Sequence, residues 1–138
     1  MVPMSPSNRR LWLLGAACAA ALAIPIVHAQ MPSAAPRFPD VLAVQVRAAS
    51  AGVFNFDVKV SSPYDTPRRY ADGFRVTTPE GEVLGERKLW HDHQGEQPFT
   101  RDLYGVKIPS GVSAVLVQAR DQVHGYGGAM VRVGLPGR

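Results

Sequence analysis

The sequence predicts an all-β domain built from two packed antiparallel sheets. Apolar and polar residues alternate with a period of two along most of the chain. No window of about 12 residues after the first 29 has a convincing helical period. The joins between the predicted strands also alternate between short and long. Because alternate side chains of a strand point to opposite faces, each predicted strand has one buried face and one solvated face.

The clearest strand is the segment GVFNFDVKV, where apolar residues alternate with polar ones. Its predicted inward side chains are Phe54, Phe56, Val58 and Val60. In other strands the predicted inward residues are Leu42, Val44, Val46, Phe74, Val76, Val115, Val117, Ala119, Val131, Val133 and Leu135. Seven strands follow, at roughly 41–48, 52–61, 71–78, 82–89, 98–108, 113–121 and 128–135.

The fifth predicted strand has a break in its pattern. Phe99 and Leu103 lie on odd positions, whereas Val106 and Ile108 lie on even ones. A β-bulge at Gly105 restores the buried face, because a bulge adds one residue and glycine accepts its geometry.

The joins predict how the strands are arranged. ASAG, PEG and PSG are short, whereas SPYDTPRRY, WHDHQGEQ and DQVHGYGG are long. In a meandering antiparallel chain the joins alternate between two ends, so the three long joins should meet at one end. Seven strands with short turns and no helix are typical of an immunoglobulin-like sandwich. The paired cysteines of antibody domains are absent, so this prediction concerns the architecture alone.

The first 29 residues predict a cleaved export signal. Arg9 and Arg10 precede a long apolar run, and VHA ends at Ala29 as a signal peptidase site does. Residues 30–40 then read as an extended tether, and residues 41–138 as the sandwich domain. The protein is therefore expected to be periplasmic or secreted and to meet the membrane only through the leader. Sec and twin-arginine export both remain open. Lipid attachment at Cys18 is disfavoured, because that residue lies in the middle of the apolar run.

Composition excludes several functions. Beyond residue 29 the chain has 13 Lys and Arg against 11 Asp and Glu, and no run of basic residues that would follow a phosphate backbone. Nucleic acid is therefore not an expected partner. The same region has no cysteine, which excludes a thiolate nucleophile and a cysteine-based metal site there.

Histidines are concentrated in the long joins. His91 and His93 stand one residue apart, and His124 lies in the sixth join. In an extended segment the first two imidazoles point to the same side, so with His124, and with Glu96 as a fourth ligand, they suit copper or zinc. The alternative is that the histidines only bond to loop backbone and stack on aromatic rings.

A non-catalytic binding or accessory domain is the leading functional prediction. No serine lies in a nucleophile elbow, and hydrolysis by loop carboxylates such as Asp92, Glu96 and Asp121 is less favoured. Loops on a rigid sandwich are common binding surfaces, so the long joins are expected to contact an unidentified periplasmic protein or small ligand. The predicted partner-binding residues are Arg68, Arg69, Trp90, Arg101 and Tyr126.

The segments PEGEVLGERKLWHDHQGEQPFTRDL and ARDQVHGYGG resemble the signature of a group of small exported proteobacterial proteins. The resemblance covers roughly residues 53–135 and departs at Asp92, where the group has proline between the two histidines. It implies no activity, and it supports the domain boundary and the choice of site. The matching residues are Pro79, Gly81, His91, His93, Glu96, Gln97, Pro98, Phe99, Thr100, Arg101, Asp121, Val123, His124, Gly125 and Gly127.

Overall fold

The computed structural model describes residues 36–138, together with Pro3. The predicted leader and most of the predicted tether lie outside the described residues. The strands are β1 (Asp40–Ser50), β2 (Val53–Ser61), β3 (Ala71–Thr77), β4 (Val83–Lys88), β5 (Phe99–Lys107), β6 (Ala114–Asp121), β7 (Gly125–Tyr126) and β8 (Val131–Gly134). The described part of the chain is all-β, and it contains no helix that could cross a membrane.

Two antiparallel sheets form the domain. The first has the order β1-β2-β5, and the second has the order β4-β3-β6-β7, with β8 also pairing with β6. β7 pairs with the end of β6, and β8 pairs with its beginning. The all-β prediction is confirmed. The seventh predicted strand corresponds to β8, and the short strand β7 lies in the sixth predicted join.

The core lies between the inward faces of the two sheets. Phe56, Val58 and Val60 of β2 are fully buried, as are Phe74 and Val76 of β3. The predicted inward residues Val115, Val117 and Ala119 of β6 are also fully buried. The period of two therefore identified the buried faces of all three strands, because each has a sheet neighbour on both sides.

The bulge in β5 is confirmed. Leu103 pairs with Phe56 and Val106 pairs with Phe54, so Tyr104 and Gly105 together stand opposite Asn55. Gly105 has φ +70°, which glycine adopts without strain. Its backbone N–H donates to Asn55 Oδ1 at 2.9 Å, which satisfies the donor that the bulge leaves unpaired.

The predicted inward face of β1 was wrong at Leu42. The register between β1 and β2 shifts between Val41 and Ala43, so Val41 is buried and Leu42 is 51% exposed. Val44 and Val46 beyond the shift are half-buried and pack against the core. One extra residue reverses the faces of every position before it, which alternation alone does not reveal.

Candidate functional site

The three long loops meet at one end of the domain, as predicted. Gln97 Oε1 accepts a hydrogen bond from the backbone N–H of Ser62 at 2.7 Å, which joins the second loop to the first. The backbone N–H of Gln122 donates to the carbonyl oxygen of Tyr70 at 3.0 Å, which joins the third loop to the first. We call the surface of residues 62–70, 89–98 and 122–130 the long-loop end.

A buried carboxylate, Asp65, fixes the first two loops to each other. Its Oδ1 accepts from the backbone N–H of Ala71 at 3.0 Å, and its Oδ2 accepts from the backbone N–H of His93 at 3.0 Å. The amide of Gln97 adds two further links, because its Nε2 donates to Ser62 Oγ and to the carbonyl oxygen of His93, both at 3.2 Å. The turn after β2 and the His-x-His segment are thus held as one unit.

A second buried carboxylate, Asp121, fixes the first loop to the third. Its Oδ1 accepts from Tyr64 Oη at 2.6 Å and from Arg69 Nε at 3.1 Å. Its Oδ2 accepts from the backbone N–H groups of Val123 and His124, both at 2.8 Å. These two carboxylates thus link the three loops of the long-loop end to one another.

The four donors keep Asp121 ionised. Burial alone would raise the pKa of Asp121, but the hydrogen bonds from Tyr64, His124 and Val123 and the charge of Arg69 outweigh burial and lower that pKa. Burial, followed by the hydrogen bond to Asp121, raises the pKa of Tyr64. Tyr64 therefore remains a donor to a charged acceptor, which is a strong type of hydrogen bond.

The two histidines of the HDH segment have different surroundings. His93 is buried, and its ring stacks on Phe99 with 3.9 Å between ring centroids. His91 is exposed, and its Nδ1 donates to the carbonyl oxygen of Asp92 at 2.8 Å. The two imidazole centroids are 5.0 Å apart. His93 therefore completes the core beneath the loop, while His91 faces solvent.

The other two predicted metal ligands have their own contacts. His124 is exposed, and its ring meets the ring of Phe38 edge-on with 6.2 Å between centroids. Glu96 pairs with Arg101, at 3.2 Å between Oε2 and the guanidinium. Within residues 36–138, no three His, Cys, Asp or Glu side chains form a group that could hold a metal ion. The copper or zinc site stays a prediction.

The predicted partner-binding residues divide into exposed and engaged ones. Arg68 is exposed, and Trp90 is 76% exposed. Arg69 is engaged, because it binds Asp121 and also donates to the carbonyl oxygen of Pro36 at 2.7 Å. Arg101 is held by Glu96, and the ring of Tyr126 lies under the guanidinium of Arg75 at 3.8 Å.

Sequence reasoning missed two features of this end. It did not identify Asp65, because nothing in the local sequence distinguishes a carboxylate that binds distant backbone from a solvated one. It also omitted Val123 from the partner-binding residues, although this side chain is 63% exposed. An apolar residue between Gln122 and His124 in a long loop is the signal that could have found it.

Buried His93 makes the stability of the domain depend on pH. Burial lowers the pKa of His93, and the charges of Arg101 and His91 lower it further. In the unfolded chain an imidazole titrates near 6.5, so below about that pH the unfolded state binds a proton that the folded state does not. The contribution of His93 is therefore present above about pH 6.5 and is lost as the pH falls towards its folded pKa.

We expect the melting temperature to fall between about pH 7.5 and 5, and to fall less in His93→Phe, which keeps a ring against Phe99 but cannot titrate. Melting followed by circular dichroism measures this difference. The matched control is His124→Phe, at an exposed position of the same end. Equal slopes of melting temperature against pH in wild type and His93→Phe would contradict the assignment.

Comparison with known proteins gives one relative. The chain is 38% identical over 96 residues to a protein of Halomicrobium mukohataei named "Putative lipoprotein". The match covers 69% of this chain and 47% of the relative, so the chain spans about half the length of the relative. No protein-family model matches the chain. No solved structure matches it either.

Proposed function

We propose that this chain is an exported, non-catalytic binding domain that uses the long-loop end to hold a component of the cell envelope. The observation that carries the proposal is Trp90, which is 76% exposed on loops that two buried carboxylates link by hydrogen bonds. A large aromatic side chain that is exposed to solvent is a common anchor of binding surfaces. Val123 and Arg68 are also exposed at the long-loop end.

The topology supports an immunoglobulin-like type within the all-β class. Sheet β1-β2-β5 packs against a second sheet. In that sheet β4 pairs with β3, β3 pairs with β6, and β6 pairs with β8. Immunoglobulin-like domains divide their strands between two sheets in a similar way and collect their loops at two ends. One set of those loops is the usual binding surface, which agrees with a working surface at the long-loop end.

Export is supported by two independent observations. Residues 1–29 have the charged start, apolar run and small-residue site of an export signal. The relative from Halomicrobium mukohataei is named a lipoprotein, which points to the cell envelope. On this basis we propose that the chain is periplasmic or secreted. Cys18, the disfavoured lipid-attachment residue, lies outside the described residues.

The carboxylates of the long-loop end support a non-catalytic function. Asp121 is occupied by four donors, and Glu96 is paired with Arg101. Asp92 Oδ2 accepts the backbone N–H of Gln94 at 3.3 Å, as a turn-forming aspartate does. Each of the three carboxylates considered as an acid or base therefore has a structural contact.

The proposal is tested by binding of the labelled chain to washed cell envelopes. The variant replaces Trp90 by alanine and Val123 by serine, and the matched control replaces Glu80 and Lys107, which are exposed at the opposite end. We expect saturable binding that the first pair of changes weakens by at least about tenfold. Binding that both variants retain, or no saturable binding by the wild type, would contradict the proposal.

Binding of Cu²⁺ or Zn²⁺ is a second candidate function. It rests on the 5.0 Å separation of the His91 and His93 rings, and imidazole suits both ions. The burial of His93 against Phe99 weighs against it.

The metal candidate is tested by calorimetric titration of the metal-free chain at neutral pH. Micromolar binding that His91→Ala and His124→Ala each weaken about tenfold supports the predicted site. That binding should weaken as the pH falls through about 6, because imidazole must be neutral to ligate. Binding no tighter than about 0.1 mM, or an unchanged affinity in His124→Ala, assigns the histidines a structural role.

A further inference from the structure

The second sheet carries a cleft of about 210 Å³, next to the long-loop end. Pockets that hold a whole drug-sized ligand measure about 300–1,000 Å³, so this cleft suits one ring or one charged group of a longer molecule. Its charged and aromatic lining comes from the four strands β3, β4, β6 and β7 and consists of Asp72, Glu86, Arg87, Lys88, Arg120 and Tyr126.

A β-bulge places Asp72 in the lining. Ala71 pairs with Asp121 and Gly73 pairs with Arg120, so Asp72 is the extra residue of β3. Glycine is required beside it, because a Cβ at Gly73 would lie 2.6 Å from the carbonyl oxygen of Arg87 in β4. Bulges often re-aim a side chain at a functional site. Here the bulge pairs the carboxylate of Asp72 with the guanidinium of Arg120.

Asp72 has unused acceptor capacity. Its side chain is 10% exposed, and its Oδ2 pairs with Arg120. Its Oδ1 is buried and accepts no hydrogen bond from any residue within 36–138. A buried polar atom of this kind calls for a donor, and a hydroxyl group of a ligand supplies one.

Lys88 is the cation of the lining that is available to a ligand. Arg120 is paired with Asp72, and Arg87 is paired with Asp102 at 3.3 Å. Among residues 36–138, Lys88 forms no ion pair. Its Nζ lies 5.0 Å from the centre of the Trp90 ring. A positive charge is thus presented between the cleft and the exposed indole.

Trp90 follows the cleft residues of β4 by two positions in the chain. Leu89 is buried, so Lys88 and Trp90 on either side of it point outward together. An exposed indole offers a flat apolar surface, which suits the C–H face of a sugar ring. On the other side of the cleft, the ring of Tyr126 is fixed by Arg75 at 3.8 Å and by its hydroxyl, which donates to Glu86 at 3.2 Å.

We propose that the cleft and Trp90 bind an acidic saccharide, a chain of sugar rings that carries uronate carboxylates. Trp90 stacks on one ring, Lys88 pairs with a carboxylate, and Asp72 accepts from hydroxyl groups. The inference rests on the proposed function, because Trp90 belongs to the surface that binds the envelope. Saccharides with uronate groups supply all three kinds of contact in one repeating molecule.

The test is calorimetric titration of the purified chain with uronate trimers, namely trigalacturonate, triglucuronate and trimannuronate. The matched probes are the methyl ester of each trimer, which removes the charge alone, and triglutamate, which keeps the charge without the sugar. We expect at least one trimer to bind with a Kd below about 1 mM. Its ester should bind about fivefold more weakly, and triglutamate should not bind.

Variants locate the site. Trp90→Ala should weaken binding of the uronate trimer at least about tenfold, and Lys88→Met about fivefold, since methionine keeps the apolar stem and removes the charge. Lys107→Met, at an exposed lysine of the opposite end, is the control and should bind as the wild type does. Trp90 and Lys88 are both exposed, and unchanged melting temperatures verify that these variants fold.

The remaining outcomes overturn the inference. The first is that none of the three trimers binds, and the second is that each acid and its ester bind with equal affinity. The third is that triglutamate binds as tightly as the trimers. The fourth is that neither Trp90→Ala nor Lys88→Met changes the binding. If the trimers fail while Trp90-dependent binding to envelopes persists, only the saccharide class is wrong. If envelope binding fails as well, the proposed function falls with it.

Discussion

Replacing Asp121 by alanine is expected to lower the free energy of unfolding by about 3–5 kcal/mol, the usual cost of removing one partner from a buried charged pair. The change removes the acceptor of four hydrogen bonds. It leaves Tyr64 Oη, Arg69 Nε and the backbone N–H groups of Val123 and His124 without that partner. Chemical denaturation followed by circular dichroism measures the loss.

Asp102→Ala is the matched control for Asp121→Ala. Asp102 is also an ion-paired carboxylate of a strand, but its side chain is 43% exposed, and it pairs with Arg87 at 3.3 Å. Its removal should cost less than about 1 kcal/mol, because exposed ion pairs contribute little. Similar losses in the two variants would show that Asp121 does not hold the long loops together.

The second large effect is expected for Phe56→Ala, at about 3–5 kcal/mol, the usual cost of deleting a buried aromatic side chain. Phe56 is fully buried in β2, the central strand of its sheet, and it stands opposite Val46 and Leu103. Neighbours on both sides are held by strand pairing, so the cavity cannot close by a small shift.

Lys59→Ala in the same strand controls for strand propensity and should cost less than about 0.5 kcal/mol, because its side chain is exposed. Equilibrium unfolding in urea compares the two variants. Equal costs at the two positions would mean that the buried face of β2 has been misassigned.

Local sequence predicted the strands well where both edges of a strand are paired. In β2, β3 and β6 alternation alone identified the buried residues. In β5, which is an edge strand of its sheet, the slip at Gly105 also identified the bulge. It failed at Leu42, where the register shift of β1 has no glycine to mark it. A bulge that no glycine marks is determined by the pairing with the neighbouring strand. The sequence of the bulged strand alone does not contain that information.

The candidate site was less predictable because its contacts are long-range. The alternation of short and long joins predicted that the three long loops meet at one end. It did not predict that His93 is buried or that Asp65 binds the backbone of His93. The cleft depends on Asp72 meeting Arg120, which is 48 residues away in sequence. The dipeptide Asp72-Gly73 is the local signal of that bulge, since glycine inside a strand often marks one.

The central claim is that the long-loop end is the working surface, and site-specific photo-crosslinking in cells tests it most directly. A photoreactive residue is placed at Val123, which is 63% exposed at that end. In a second strain it is placed at Glu80, which is exposed in the turn between β3 and β4 at the opposite end. Our account predicts crosslinked products from position 123 and none from position 80. Products from position 80 alone, or equally from both positions, would contradict it.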